Sequence, residues 1–265
     1  MKIGKKDNQS QSAKSSPSGG VRGGSAKAMI FAAGLGTRLK PITDQLPKAL
    51  VQVDGKTLLE HTIRKLVVAG FDEIIVNVHH FPDLIADFLK EKNNFGIRIE
   101  LSDERDQLLE TGGAIRKAAW FFDDGKPFLI HNVDILSNVD LTALYQKHIA
   151  STALATLIVS ERDTFRHLLF DHENRLRGWI NERTGEKKPP ALTDISAYQK
   201  LAFSGIQVLS PAVFAKMTDF PEKFSIIDFY LQNAVEEKIT GFTPENLKMF
   251  DVGKIETLEQ AVDFV

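Results

Sequence analysis

The sequence predicts an α/β fold: a mostly parallel sheet covered by helices on both faces, followed by a smaller β-rich part. Three observations carry this. Short apolar runs alternate with stretches of helical periodicity up to about residue 150. Several of those runs are continuously apolar, as strands buried on both faces must be. From Ala153 onward, strand-length segments follow one another closely with few helical stretches between them.

The elements follow in order. Residues 1–26 are rich in Ser, Gly, Gln and Lys with almost no apolar side chains, so they cannot offset their ordering entropy and are expected to be a disordered leader. They lack the apolar core of a signal peptide. A cloning remnant, an upstream start codon and a basic tail with its own role remain open. Ala28–Phe31 reads as a buried strand opening the fold, and a glycine-rich turn follows it. Leu58, Leu59, Ile63, Leu66 and Val67 recur at helical spacing, with Gly70 closing that helix. Ile74–Val78 is a strand, Pro82 starts a helix to about Lys90, and Ile97–Leu101 is the next strand. Gly112–Phe121 reads as a helix, Phe128–Asn132 as a strand and Leu141–Ala150 as a helix.

The second part reads as strands at Ala153–Ser160, His167–Asp171, Leu176–Asn181 and Leu201–Leu209, then short helices near Ala212–Met217 and Ile226–Glu237. Met249–Val252 is a last strand and Leu258–Val265 a closing helix. One domain over residues 27–265 is expected, with halves at 27–150 and 151–265. In such sheets ligands sit beyond the carboxyl ends of the strands, where the glycine turn, His79-His80 and Asp134 all fall.

The most informative stretch is Ala32–Leu50, AAGLGTRLKPITDQLPKAL. A strand feeding a glycine-rich turn brings backbone N–H groups toward a ligand with little side-chain obstruction, which suits a polyphosphate. Arg38 at the end of the turn and Lys48 after Pro47 add two cations. No Gly-x-x-x-x-Gly-Lys-Ser/Thr string occurs, so this is not a P-loop, and Leu39 stands where a dinucleotide fingerprint needs its third glycine.

The string Gly34-Leu35-Gly36-Thr37-Arg38-Leu39-Lys40-Pro41-Ile42-Thr43, followed by Pro47-Lys48-Ala49-Leu50, resembles the signature of the sugar-1-phosphate nucleotidyltransferases, Gly-x-Gly-Thr-Arg-Leu-x-Pro-Leu-Thr then Pro-Lys-Pro-Leu. Ile42 and Ala49 are mild departures. The resemblance implies a Rossmann-like three-layer α/β/α fold with a β-rich sugar-binding subdomain. It also implies an enzyme that couples a nucleoside triphosphate to a sugar 1-phosphate with release of pyrophosphate. Its nucleotide site would take Ala32, Ala33, Gly34, Gly36, Thr37, Arg38, Lys48 and Gly113, with Arg38, Lys48 and Asp134 as the catalytic groups.

Both reactants are anions, so positive charge and in-line positioning should supply most of the catalysis. The resemblance implies Mg²⁺, which needs only one or two protein carboxylates. Asp134 ends the strand Leu129-Ile130-His131-Asn132-Val133-Asp134, like the family's metal aspartate, and Asp251 in Phe250-Asp251-Val252-Gly253 resembles its second. Lys254 replaces the threonine expected after that segment. Glu110-Thr111-Gly112-Gly113 opens a helix whose N–H groups are expected to be free for an anion or a base carbonyl. By the resemblance, Glu110, Thr111, Gly112, Ser204 and Gly205 border the sugar phosphate. The family's Glu-Lys-Pro triplet is not carried over, because Glu186-Lys187-Lys188-Pro189 reads as a loop rather than a strand. His79, His80 and His131 lack zinc spacing and read as strand-end residues lining a cleft or capping turns. Arg162, Asp163, Arg166 and His167 border the sugar phosphate or lie in a solvated loop.

Composition bounds the alternatives. A net charge of −2 gives no field for nucleic acid, and no apolar run approaches the roughly 20 residues needed to span a bilayer. The absence of cysteine excludes disulfides, thiolate catalysis and zinc-thiolate sites, and fits a reducing cytoplasm. Small-molecule partners are therefore expected, with no nucleic acid or membrane, and oligomeric state is left open. Nothing repeats at the period of an acyltransferase β-helix, so no second activity is expected. Within the family the sequence resembles, mannose 1-phosphate with GTP and N-acetylmuramate 1-phosphate with UTP fit about equally. A phosphocholine cytidylyltransferase-like enzyme and a non-catalytic NDP-sugar-binding regulatory homologue are the alternatives.

Overall fold

The computed structural model describes residues 25–253 and 255–264. Its first half runs β1 (Ala26–Phe31), β2 (Gln52–Val53), β3 (Lys56–Thr57), α1 (Leu58–Val68), β4 (Phe71–Val78), α2 (Pro82–Glu91), β5 (Arg98–Asp103), α3 (Glu110–Lys117), β6 (Phe128–Asn132), β7 (Ile135–Ser137) and α4 (Leu141–Ile149). The second half runs β8 (Ala155–Ser160), β9 (Arg166–Phe170), β10 (Leu176–Asn181), β11 (Glu186–Lys188), β12 (Gln199–Leu209), α5 (Val213–Lys216), α6 (Ile226–Asn233), β13 (Ile239–Phe242), β14 (Met249–Asp251) and α7 (Ile255–Ala261).

Ten strands form one sheet, ordered β11-β10-β9-β12-β6-β1-β4-β5, with β8 and β13 joining through β12. The strands β6-β1-β4-β5 are parallel to one another, and β12 joins β6 antiparallel. The sheet therefore runs without interruption from the first half of the chain into the second. Successive side chains of β1 serve opposite cores, as strand geometry requires. Ala28 and Ile30 pack with Leu59, Ile63 and Leu66 of α1 and Leu144 of α4. Met29 packs on the other face with Ala114 and Ile115 of α3 and Phe229 of α6. The result is the three-layer α/β/α arrangement.

Capping sets where the helices begin. The Thr57 side chain accepts from Glu60 N (3.0 Å) at the start of α1, and Asp140 does the same for Ala143 N (2.9 Å) at α4. Gly70, at φ 93, lies just past the end of α1, where a left-handed residue terminates a helix.

Several boundaries differ from expectation. Ser25 and Ala26 belong to the fold rather than the leader: Ala26 is buried in β1 and Ser25 donates to Asp72. Residues 1–24 lie outside the described residues. The helix expected to reach Phe121 ends at Lys117, with a separate 3-10 turn at Ala119–Phe121, and α6 ends at Asn233 rather than Glu237. The closing helix, expected over Leu258–Val265, runs Ile255–Ala261 and gives way to a 3-10 turn at Val262–Phe264; Val265 lies outside the described residues. Glu186–Lys188, read as loop, is strand β11, paired antiparallel with β10 through Trp179↔Lys188. The short strands β2, β3, β7 and β13 carry too few residues to show a period of their own. Pairing with a partner defines them.

Candidate active site

The carboxyl ends of β6, β1, β4 and β5 lie side by side, and a cleft of about 270 Å³ opens beyond them. Of the residues expected from sequence, Ala32, Ala33, Gly34, Lys48, Glu110, Thr111 and Asp134 line it. Asn77, Glu104 and Asn132 line it as well and were not expected. Their sequence signal was slight: Asn77 is the last residue but one of β4, Asn132 the last of β6 and Glu104 the first after β5, and nothing in their spacing pairs them.

Four charged groups converge at one end. Pro47, in extended conformation, leads into a single turn at Lys48–Leu50 that carries the Lys48 ammonium inward. Lys48 is largely buried and pairs directly with Asp134 Oδ2. Asp134 leads into β7, whose pairing with β14 sets Ile135 opposite Asp251, and Val252 N donates to Asp134 O (2.9 Å). The two aspartates, far apart in sequence, thus sit on adjacent backbones. Arg38 Nη2 lies 4.0 Å from Asp251 Oδ1.

Gly253 reports how tight this is. A Cβ there would stand 2.6 Å from Arg38 Nη2, 2.8 Å from Asp251 Oδ1 and 3.0 Å from Lys48 Nζ. Arg38, Lys48, Asp134 and Asp251 therefore share one locus. Two convergent carboxylates with no histidine or third acid suit a hard, oxygen-seeking cation that keeps most of its ligands from water or substrate. Among the described residues no cluster of three or more His, Cys, Asp or Glu side chains assembles, which is unlike a zinc site.

The glycines of the turn have different reasons. Gly36 adopts φ 64, and a Cβ there would meet Thr43 Cγ2 at 2.8 Å, while Thr43 Oγ1 donates to Gly36 O (2.8 Å). At Gly34 a Cβ would meet nothing within 4 Å, because that side of the backbone faces the open cleft. Gly36 folds the turn and Gly34 leaves space. The N–H groups of Ala32 and Ala33, expected to face a nucleotide, instead donate to Asn77 Oδ1 (2.8 and 3.4 Å). Thr37 begins a short 3-10 turn beside them.

The start of α3 also differs from expectation. The N–H groups of Gly112 and Gly113 both donate to Phe224 O (2.9 and 3.3 Å), so they are not free for an anion. A Cβ on Gly112 would meet the Phe224 ring at 2.3 Å, and one on Gly113 would meet Glu222 O at 2.4 Å. These glycines let the segment around Phe224 close against the helix. Glu110 itself adopts φ 60, an unusual backbone for a residue with a side chain, and faces the cleft with Thr111.

Ser204 is buried with its hydroxyl unpartnered, and it does not line the cleft. Gly205, at φ 73, sits where a Cβ would meet Asn132 Nδ2 at 2.7 Å, so its smallness seats a cleft-lining amide. His79 and His80 tie turns together through Glu104 O (2.6 Å) and Thr43 O (3.4 Å) and do not line the cleft. His131 is fully buried, its Nδ1 bonded to Asn132 O (2.7 Å), and desolvation pushes its pKa down to about 4. Lys188 pairs with Asp228 (2.8 Å) over the Trp179 ring. Arg162 and Asp163 are exposed, and His167 lies 3.6 Å from Glu182.

The nucleotidyl transferase family model matches residues 27–265. An N-acetylmuramate alpha-1-phosphate uridylyltransferase of Caulobacter vibrioides is 34% identical over 229 residues, covering 84% of this chain and 90% of that protein. A mannose-1-phosphate guanylyltransferase catalytic subunit beta of Dictyostelium discoideum is 31% identical over 152 residues, 56% of this chain and 42% of that protein. Among solved structures, HddC from Yersinia pseudotuberculosis complexed with GMP-PN superimposes with a TM-score of 0.69 at 24% identity, over 90% of this chain and 99% of that one. A UDP-glucose pyrophosphorylase complexed with UDP-glucose gives 0.71 at 19% identity, over 91% and 98%. At these identities the structural likeness speaks to the fold alone.

Proposed function

The chain belongs to the nucleotidyl transferase family, and we propose that it couples a nucleoside triphosphate to a sugar 1-phosphate, releasing pyrophosphate. The observation that carries this is the convergence of Arg38, Lys48, Asp134 and Asp251 around Gly253, at the carboxyl ends of the parallel strands. N-acetylmuramate 1-phosphate with UTP is the preferred pair, because the uridylyltransferase relative matches over most of both chains.

In the reaction an oxygen of the sugar phosphate attacks the α-phosphorus, and the bond to the β-phosphate oxygen breaks. Two anions must meet, so the barrier is largely electrostatic and positional. Arg38, half exposed and beside the Lys48–Asp134 pair, is placed to bind phosphate oxygens. Lys48, withdrawn from water, stabilises the charge that builds on the phosphates, an effect stronger where the dielectric is low. Gly34 leaves room for the phosphates beside the turn. Asp134 and Asp251 would hold Mg²⁺, which when bound neutralises phosphate charge and orients the oxygens. No nucleophilic side chain is required. The lack of cysteine fits a cytoplasmic setting, and among the described residues no helix is long and apolar enough to cross a membrane.

Pyrophosphate release across UTP, GTP, CTP and dTTP, each with N-acetylmuramate, mannose and glucose 1-phosphates and phosphocholine, tests this reading. UTP with N-acetylmuramate 1-phosphate should be fastest. Turnover of phosphocholine alone would move the enzyme to a cytidylyltransferase role, and silence with every pair would leave a non-catalytic binding protein.

A further inference from the structure

The cleft floor holds a carboxylate that the chemistry above does not use. Glu104 lies just past β5, is 1% exposed and lines the cleft. Among the described residues no cation pairs with it. Burying a carboxylate without a cation is costly unless hydrogen bonds replace the lost water, and here they do. Glu104 Oε1 accepts from Asn77 Nδ2 (2.8 Å) and Oε2 from Leu109 N (3.1 Å). On its other side, Asn77 Oδ1 accepts from Ala32 N and Ala33 N.

The polarity of this chain of bonds dictates its members. It ends in backbone donors on both sides, Ala32 at one end and Leu109 at the other. An asparagine side chain only passes polarity along, accepting on one side and donating on the other. A run with donors at both ends therefore needs one group that solely accepts, and among side chains a carboxylate is such a group. A glutamine at 104 would turn its NH₂ against another N–H wherever it was placed.

We propose that Glu104 is a positioning residue. Through Asn77 it locks the Ala32–Gly34 wall of the cleft, and through Leu109 the Glu110–Thr111 wall, holding both at one spacing for the nucleotide. Glu104 N donating to Val78 O (2.7 Å) and His79 Nδ1 bonded to Glu104 O (2.6 Å) fix the glutamate's own backbone. The proposal rests on the nucleotidyltransferase reading for its ligand.

The test exchanges the polarity. In Glu104→Gln the chain is broken. In Asn77→Asp with Glu104→Gln, the new carboxylate at position 77 accepts from Ala32 N and from the new side-chain NH₂ at position 104. The side-chain oxygen at 104 then accepts from Leu109 N, so the chain is whole again at unchanged net charge. Each variant is checked for folding by thermal denaturation, then titrated with UTP alone and GTP alone by calorimetry and assayed for pyrophosphate release. The single variant should bind its nucleotide at least 10-fold more weakly and raise KM for the triphosphate more than it lowers kcat. The double variant should return to within about threefold of wild type. Hydrogen exchange should show Ala32 and Leu109 amides losing protection in the single variant and regaining it in the double. Wild-type binding in Glu104→Gln, or no recovery in the double variant, overturns the proposal. A wild type silent with every substrate pair overturns the enzymatic reading instead, and exchange at the two amides then still decides whether the lock exists.

Discussion

Substituting Gly253 by alanine should disable this protein while leaving it folded. The added Cβ would lie 2.6 Å from Arg38 Nη2, 2.8 Å from Asp251 Oδ1 and 3.0 Å from Lys48 Nζ. Ordinary van der Waals contact is roughly 3.5 Å, so the guanidinium must retreat by about 1 Å. Arg38 is 54% exposed, so its tip moves cheaply and stability should change by less than about 1 kcal/mol. Asp251 is less free, because Gly253 N donates to its Oδ1 (3.0 Å). Displacements near 1 Å in a positioning group cost roughly 100-fold in rate, equivalent to about 2.7 kcal/mol of transition-state stabilisation. A pyrophosphate-release assay should therefore show kcat/KM down about 100-fold, with the melting temperature within about 4 °C of wild type. Wild-type kcat/KM in Gly253→Ala would refute the claim that these groups act together at this locus.

Three further outcomes are expected. Asp134→Asn should lower kcat by at least roughly 100-fold, and chelation should silence the wild type with no change in its circular dichroism; a variant keeping a tenth of the activity removes Asp134 from its role. Gly112→Ala forces a methyl to 2.3 Å from the Phe224 ring, so it should cost about 1–3 kcal/mol and lower the melting temperature, and an unchanged melt contradicts the packing described. His131 and His148 are buried, and desolvation lowers each from an ordinary 6.5 to about 4. The unfolded chain therefore takes up protons that the native one refuses, and stability should fall as pH drops from about 6.5 toward 4, by up to about 3 kcal/mol per histidine. Denaturant titrations between pH 7.5 and 4.5 read this directly, and a flat profile from pH 7 to pH 5 contradicts it.

Much of the site was legible because its chemistry demands particular residue types at close spacing. Gly34, Gly36, Arg38 and Lys48 lie within one turn-rich stretch and could be proposed from local pattern, whereas Asp134, in the turn just past β6, was proposed from the family resemblance. Asn77 and Glu104 were not legible, since an amide near the end of one strand and an acid just past another carry no spacing signal; their meaning is the hydrogen-bond chain between them. The glycine pair at 112–113 misled for a related reason. A glycine that admits a ligand and one that admits Phe224 look alike in sequence, and only the neighbouring backbone tells them apart. Strand β11 was missed because its three residues are polar and its edge position tolerates that.

Periodicity and turn chemistry depend on near neighbours in the chain, so the alternation of strands and helices, the layered fold and the charged turn could be read from residue order. Which groups meet depends on contacts between residues far apart in the chain, from Asn77 with Glu104 and Lys48 with Asp134 to Arg38 with Asp251. Arg38 reaches Asp251, and Asp251 comes to stand beside the Lys48–Asp134 pair, only because β14 pairs with β7, and the absence of a side chain at Gly253 acquires its purpose only there. Long-range packing, which no local pattern encodes, turned a set of candidate residues into one site.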